Sequence, residues 1–145
     1  MLIRRAHSND APAIRALIDR FTADGTLLPR TEAFIAQHCD HYLVAEIEGR
    51  VVGCVHLEEY APSLAELRSL AVDRDAHGAG VGTALVHATL ALARKRGYTT
   101  VFAVSNDEQY FARFGFAVRH IPELDRERSE VSRYKGVFAT DVTVV

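Results

Sequence analysis

Gly78, Gly80 and Gly82 stand at alternate positions in the run Leu70-Ala71-Val72-Asp73-Arg74-Asp75-Ala76-His77-Gly78-Ala79-Gly80-Val81-Gly82-Thr83. The residues before this turn read as a strand and those after it as a helix. Glycine lets a backbone turn sharply and approach a ligand closely. The first N–H groups of a helix have no partner inside it, and together with the helix dipole they favour an anion, phosphate above all. The chemistry to expect here is the holding of a phosphorylated cofactor.

Four readings of the turn compete. A nucleotide P-loop closes on Gly-Lys-Ser/Thr, and Gly82-Thr83 lacks the lysine. A dinucleotide fingerprint runs GxGxxG, so Thr83 sits where the third glycine belongs. That fingerprint also wants an acidic residue about twenty positions on, where Thr99 to Phe102 offer none. The third reading is the pyrophosphate loop of a coenzyme A thioester site. The fourth is a loop that only packs a helix onto a strand.

The elements that position the turn follow from periodicity. Leu2 to Arg5 reads as an opening strand. Ser8 is placed to cap a helix in which Ile14, Leu17, Ile18 and Phe21 form one apolar face, and Gly25 ends it. Thr31 caps a short second helix carrying Phe34 and Ile35. Tyr42 to Ile47 and Val51 to Glu58 are strands joined through Glu48-Gly49-Arg50, and Ala65 to Val72 is a third. A long helix runs from Val81 to Arg96, with Val81, Leu85, Ala88 and Leu92 on one face and Gly97 as its stop. Thr99 to Val104 is a strand and Asp107 to Phe114 a short helix. Phe116 begins another strand, and Val137 to Val145 is the last. The order β-α-α-β-β-β-α-β-α-β-β is an antiparallel meander feeding one βαβ crossover. It predicts an α/β (α+β) mixed sheet with helices on both faces, as a single domain over residues 1–145.

Composition excludes several classes. With 145 residues, 48% hydrophobic and 25% charged, the chain has the make-up of a globular domain rather than a disordered one. A net charge of −2 gives no general attraction to nucleic acid or to an anionic membrane. Cys39 and Cys54 lie in apolar contexts without a CxxC pair, and read as buried thiols in a reducing compartment. No long apolar stretch follows Met1-Leu2-Ile3-Arg4-Arg5, and no run approaches the roughly 18 residues of a membrane span, so the cytoplasm is the expected location. His7, His38, His41, His56, His77, His87 and His120 show no metal-ligand spacing, and no metal is expected.

The glycine turn resembles motif A of the GNAT superfamily of N-acetyltransferases, Gln/Arg-x-x-Gly-x-Gly/Ala, with His77, Gly80 and Gly82 in the fixed places. His77 departs from the usual Gln or Arg, in a place that works mainly through its backbone N–H. The segment Asn106-Asp107-Glu108-Gln109-Tyr110-Phe111-Ala112-Arg113-Phe114-Gly115-Phe116 resembles the superfamily's closing motif. The resemblance covers nearly the whole chain and implies a GNAT-like fold with acetyl-CoA as co-substrate. It implies cofactor contacts from Leu70, Ala71 and Val72, from the loop His77, Gly78, Ala79, Gly80, Val81, Gly82 and Thr83, and from Asn106 and Phe111. Phe111 stands where many members carry a tyrosine that protonates the departing thiolate. Tyr110, beside it, becomes the candidate acid, and a thiol of pKa about 8.5 is a fair leaving group without one.

Within that superfamily the chain is most similar to the acetyltransferase domain of N-acetylglutamate synthase, in a short form without the kinase domain. Gly25 to Thr31 resembles that family's Leu-x-Arg-Ser segment, and Ser132-Arg133-Tyr134-Lys135-Gly136-Val137 its Arg-x-Ser-Lys segment. Two further stretches carry the likeness, Ala65 to Val72 and the Tyr110-Phe111 to Gly115-Phe116 run. The resemblance implies that Arg30 and Arg133 contact substrate carboxylates, and Lys135 replaces the usual serine. A planar guanidinium binds a carboxylate through two parallel hydrogen bonds, and a dicarboxylic amino acid needs two such clamps. Arg30, Arg68, Arg133 and Lys135 are the candidates.

Acetyl transfer to an amine needs that amine neutral, so a base or a proton-conducting water chain is required. Glu66, two residues before Arg68 and on the same face of its strand, is the first candidate base. An ion pair between Glu66 and Arg68 is the competing account of both. Backbone N–H groups at Leu70 to Val72 would hold the oxyanion, as the resemblance implies. The expected reaction is acetyl transfer to the α-amine of an amino acid, L-glutamate foremost, in a ternary complex serving arginine biosynthesis. A homodimer is compatible with these features. Another small-molecule or protein amine as acceptor, and a non-catalytic acyl-CoA sensor, are the alternatives.

Overall fold

The computed structural model describes residues 1–124 and 136–142. The strands are β1 (Leu2–Arg5), β2 (Tyr42–Ile47), β3 (Arg50–Ala61), β4 (Leu64–Val72), β5 (Thr100–Ser105), β6 (Ala117–Val118) and β7 (Gly136–Asp141). The helices are α1 (Ala11–Thr22), α2 (Glu32–Gln37), α3 (Val81–Lys95) and α4 (Glu108–Ala112). Their order matches the one read from periodicity. The strands hydrogen-bond in the order β1-β2-β3-β4-β5-β7-β6, a mixed α/β architecture in which β4 and β5 run parallel.

Two compact units make up the chain. The first comprises Met1–Glu58 and Leu67–Thr89; the second comprises Glu59–Glu66 and the described residues from Leu90 onward. In the first, β2 pairs antiparallel with β1 and with β3, and the β2–β3 ladder shifts register between Ala45 and Glu46. Ile14, Leu17 and Ile18 of α1 are buried with Ile35, Tyr42, Val44 and Cys54. Each fully buried aliphatic side chain stabilises the fold by about 1.5–3 kcal/mol, which is why the i, i+3, i+4 pattern selects a helix here. Gly53 of β3 lets α3 come close: a Cβ there would lie 2.9 Å from both Leu85 Cδ1 and Val81 Cγ1.

The start of α1 differs from expectation. Ser8 opens a single 3-10 turn, and α1 begins only at Ala11. The carboxylate of Asp10 accepts the His7 N–H at 2.7 Å and is clamped by Arg4 at 2.8 Å. The Asp10 N–H bonds the His7 carbonyl at 2.9 Å, closing a 3-10 turn that contains Ser8 and so moves the helix start past it. Thr31 does cap α2, accepting the Phe34 N–H at 3.1 Å.

In the second unit β4 pairs with β5 through Leu64↔Thr100, Ala65↔Val101 and Glu66↔Phe102, and β7 pairs with β5 and β6. Phe102 is buried with Ile121, Leu124, Val137 and Ala139. Gly97 closes α3 in the left-handed region (φ +87°), and the Tyr98 N–H reaches back to the Ala93 carbonyl at 3.0 Å. The helix expected to reach Phe114 ends at Ala112, because the chain turns over Arg113 to Gly115 (φ +87°). β6 accordingly starts at Ala117 rather than Phe116.

Candidate active site

The loop between β4 and α3 is braced by its own hydrogen bonds. Asp73 N–H donates to the Val52 carbonyl at 2.7 Å, and the Asp73 carboxylate accepts the Asp75 N–H at 3.0 Å. The Arg20 guanidinium stands 3.2 Å from the same carboxylate. The Asp75 amide first, then Arg20, hold that carboxyl below its usual range. The His77 ring donates from Nε2 to the Val72 carbonyl at 3.1 Å, folding the loop back on the end of β4.

Gly78 (φ +86°) and Gly80 (φ +77°) occupy the left-handed region, and the space around the Cβ position of each is open. Ala84 N–H bonds the Gly80 carbonyl at 3.0 Å. Among the described residues, the amides of Gly78, Gly80, Val81 and Gly82 donate to no backbone carbonyl outside the helix and strand ladders. A braced loop presenting unused amides at the start of a 15-residue helix suits a phosphate anion.

Upstream, β4 carries Ser69 at φ +56°, buried, between Arg68 and Leu70. A left-handed residue other than glycine interrupts the regular alternation of a strand. Leu70 and Val72 are half-buried and Ala71 is buried. Cys54 is buried beneath this stretch, its Sγ 3.5 Å from the Ser69 carbonyl. Burial pushes its thiol up to about 12, which makes it unreactive.

The first unit also gathers a cluster of cations around two aromatic rings. Tyr42 and His56 face each other across the β2–β3 ladder, stacked at 4.3 Å and 5° from parallel. Phe34 meets His56 edge-on at 6.1 Å, and the Arg30 guanidinium lies 5.5 Å from the Phe34 centroid. Arg68 Nη1 contacts Glu58 Oε1 at 3.3 Å. Burial, and then the charges of Arg68 and Arg30, lower His56 to about 3, so its ring is neutral near pH 7. Burial drives the Tyr42 phenol above its usual range.

Arg30 and Arg68 are thus brought to one cluster. Arg68 has an ion-pair partner that its same-face spacing with Glu66 does not suggest. Glu58 on β3 is half-buried and reaches the guanidinium, and Glu66 is 3% exposed. Sequence reasoning passed over Tyr42 and His56. The available signal was a histidine inside the apolar run Val52 to Leu57, two residues from Glu58 and on the same strand face.

The remaining candidates lie in the second unit. Tyr110 of α4 is half-buried against Phe111 and Phe114, with Arg113 5.5 Å from its ring centroid. Burial raises its phenol above the usual range, so it stays protonated through neutral pH. Phe111 is buried and packs on Phe116 at 5.3 Å and on Phe138 at 6.5 Å. Asn106 is exposed in the bend after β5. Arg133 and Lys135 lie outside the described residues. Among the described residues no group of three or more His, Cys, Asp or Glu side chains could hold a metal ion, and no helix is long and apolar enough to cross a membrane.

The profile of the acetyltransferase (GNAT) family matches residues 11–116. The chain belongs to that family. GNAT membership makes it an N-acetyltransferase. It is 36% identical over 118 residues to an amino-acid acetyltransferase of Mycobacterium tuberculosis, covering 79% of this chain and 67% of that one. It is 34% identical over 136 residues to an amino-acid acetyltransferase of Neisseria meningitidis, covering 92% of this chain but only 31% of the relative. Among solved structures, N-acetylglutamate synthase from Neisseria gonorrhoeae complexed with coenzyme A and N-acetyl-glutamate superimposes with a TM-score of 0.89 at 30% identity. That match covers 99% of this chain and 35% of the synthase. The GNAT chain described here therefore spans about a third of the length of the Neisseria proteins.

Proposed function

We propose that the chain transfers an acetyl group from acetyl-CoA to the α-amine of an amino acid, with L-glutamate as the preferred acceptor. The observation that carries the acceptor class is the gathering of Arg30 and Arg68 around the Tyr42–His56 stack. A half-buried guanidinium binds a carboxylate far better than a solvated one, because less water screens it. A cationic acceptor such as a polyamine would be repelled there. The coenzyme complex of the gonococcal synthase and the amino-acid acetyltransferase names of the relatives support the same reading.

Each part has a task. The unused amides of Gly78, Gly80, Val81 and Gly82 receive the coenzyme pyrophosphate. Acetyl-CoA supplies an activated thioester. Glu66 takes the proton of the acceptor ammonium, and Tyr110 holds a proton for the leaving thiolate. The N–H groups of Leu70 to Val72 stabilise the oxyanion. Arg30 and Arg133 hold the carboxylates, Arg68 and Lys135 are further candidates for that role, and Asn106 and Phe111 belong to the coenzyme side. The expected setting is a cytoplasmic enzyme of arginine biosynthesis, acting as one domain.

Acetyl-CoA-dependent thiol release across a panel of amino acids tests this reading. Glutamate should give the highest kcat/KM, with polyamines and lysine inert. Turnover of cationic amines in preference to acidic ones would overturn the acceptor assignment.

A further inference from the structure

Tyr42 Oη and His56 Nδ1 are among the polar atoms of the first unit that lie buried without a hydrogen-bond partner among the described residues. Tyr42 is 0% and His56 1% exposed. Native interiors leave few such atoms unsatisfied, and each one calls for a reason. Both sit on directly opposed residues of β2 and β3, with their rings stacked, so they share one locality. The nearest charged oxygen to His56 Nδ1 is Glu58 Oε2 at 3.7 Å, beyond hydrogen-bond reach. Around them stand Arg30 and Arg68, whose positive charge acts on both groups.

A buried phenol donates an O–H, and a neutral imidazole donates from Nδ1 when its proton resides there. Two neutral groups able to donate, with Arg30 and Arg68 close by, match a carboxylate. A phenol oxygen, or an unprotonated Nδ1, could accept from an ammonium, but the positive charge of Arg30 and Arg68 disfavours a cation there. We propose that Tyr42 and His56 are specificity-determining residues of the acceptor site, each giving one hydrogen bond to a carboxylate of the amino acid that Arg30 and Arg68 attract. This rests on the acetyl-acceptor reading given above, and adds to it two residues that select for a carboxylate without adding charge.

Tyr42→Phe removes only the hydroxyl and keeps the stack on His56. If the hydroxyl has no ligand, deleting an unsatisfied buried group leaves stability equal or higher and the kinetics unchanged. If it binds the acceptor, the KM for L-glutamate rises about tenfold or more, while the KM for acetyl-CoA and the melting temperature do not fall. His56→Phe, which keeps an aromatic ring in the stack, should behave alike. Isothermal titration with L-glutamate in the presence of coenzyme A gives the same comparison without turnover. Wild-type affinity for glutamate in both variants overturns the inference and leaves the proposed function standing. Absence of any glutamate-dependent thiol release by the wild-type protein overturns the proposed function itself, and this inference with it.

Discussion

Arg68 Nη1 lies 3.3 Å from Glu58 Oε1, an ion pair between β4 and β3 at the edge of the Tyr42–His56 stack. Glu58 thereby offsets part of the positive charge that a carboxylate would meet. Glu58→Gln should release it and lower the KM for glutamate a few-fold, because like charge near a binding anion weakens it. Arg68→Met should do the reverse. Initial rates at fixed saturating acetyl-CoA decide the matter, and a rise in KM with Glu58→Gln would mean that Glu58 positions Arg68 rather than competing for it.

The carboxylate clamps are testable one by one. Truncating one partner of a desolvated charge pair costs about 2–5 kcal/mol. Arg30→Ala and Arg133→Ala should each raise the glutamate KM at least roughly thirtyfold, with acetyl-CoA affinity unaltered. If each holds a different carboxylate, one of the two variants should discriminate less between glutamate and norvaline. Wild-type kinetics in both would return these arginines to the solvated surface.

Gly82→Asp places a negative charge on the first turn of α3, where an acidic side chain is favourable for the helix itself. The variant should fold with equal stability and lose the rise in melting temperature that acetyl-CoA gives the wild type by mass action. A retained shift would remove the pyrophosphate assignment of the loop.

Glu66→Gln should lower kcat more than it weakens coenzyme binding, and flatten the acid limb of the pH–rate profile. Near-normal rates from about pH 6 to 9 would hand the proton to water.

Acid stability should report on His56. Its folded value of about 3 lies below the ordinary value of 6.5, so the unfolded chain binds a proton that the folded chain refuses. The stabilisation from keeping the ring neutral is complete above pH 6.5 and is lost as pH falls toward 3. The slope approaches about 1.4 kcal/mol per unit in that window. Urea denaturation from pH 7 downward should show a shallower decline for His56→Phe than for the wild type.

Why was the loop legible in the sequence and the aromatic cluster not? Gly78, Gly80 and Gly82 announce themselves because only glycine is at ease at the positive φ that two of them adopt. The face of α1 was legible because burial imposes a helical period on Ile14, Leu17 and Ile18. The Tyr42–His56 pair depends on something periodicity does not encode. From Glu46↔Val51 a regular ladder would set Val55 opposite Tyr42; the shift beyond Ala45 brings His56 there instead. Arg68's partner was hidden for a related reason. Same-strand spacing draws attention to Glu66 and gives no sign of Glu58, whose carboxylate reaches the guanidinium from the neighbouring strand, ten residues away in sequence. Ser69's left-handed backbone, which breaks the alternation just after Arg68, has no mark in residue type at all.

Asp73 has a consequence for how fast and how tightly an anion is captured. Its amide, its two carboxylate oxygens and the Arg20 guanidinium lock the entry to the glycine loop, and the His77 ring locks it again farther along. The conformational entropy of ordering those residues, about 1–2 kcal/mol each for the backbone, is spent when the chain folds and not when a ligand arrives. A pre-shaped cradle needs no closure before it can hold its guest. Association should then be limited by diffusion and charge, and loosening the brace through Asp73→Ala should slow capture as well as hasten release.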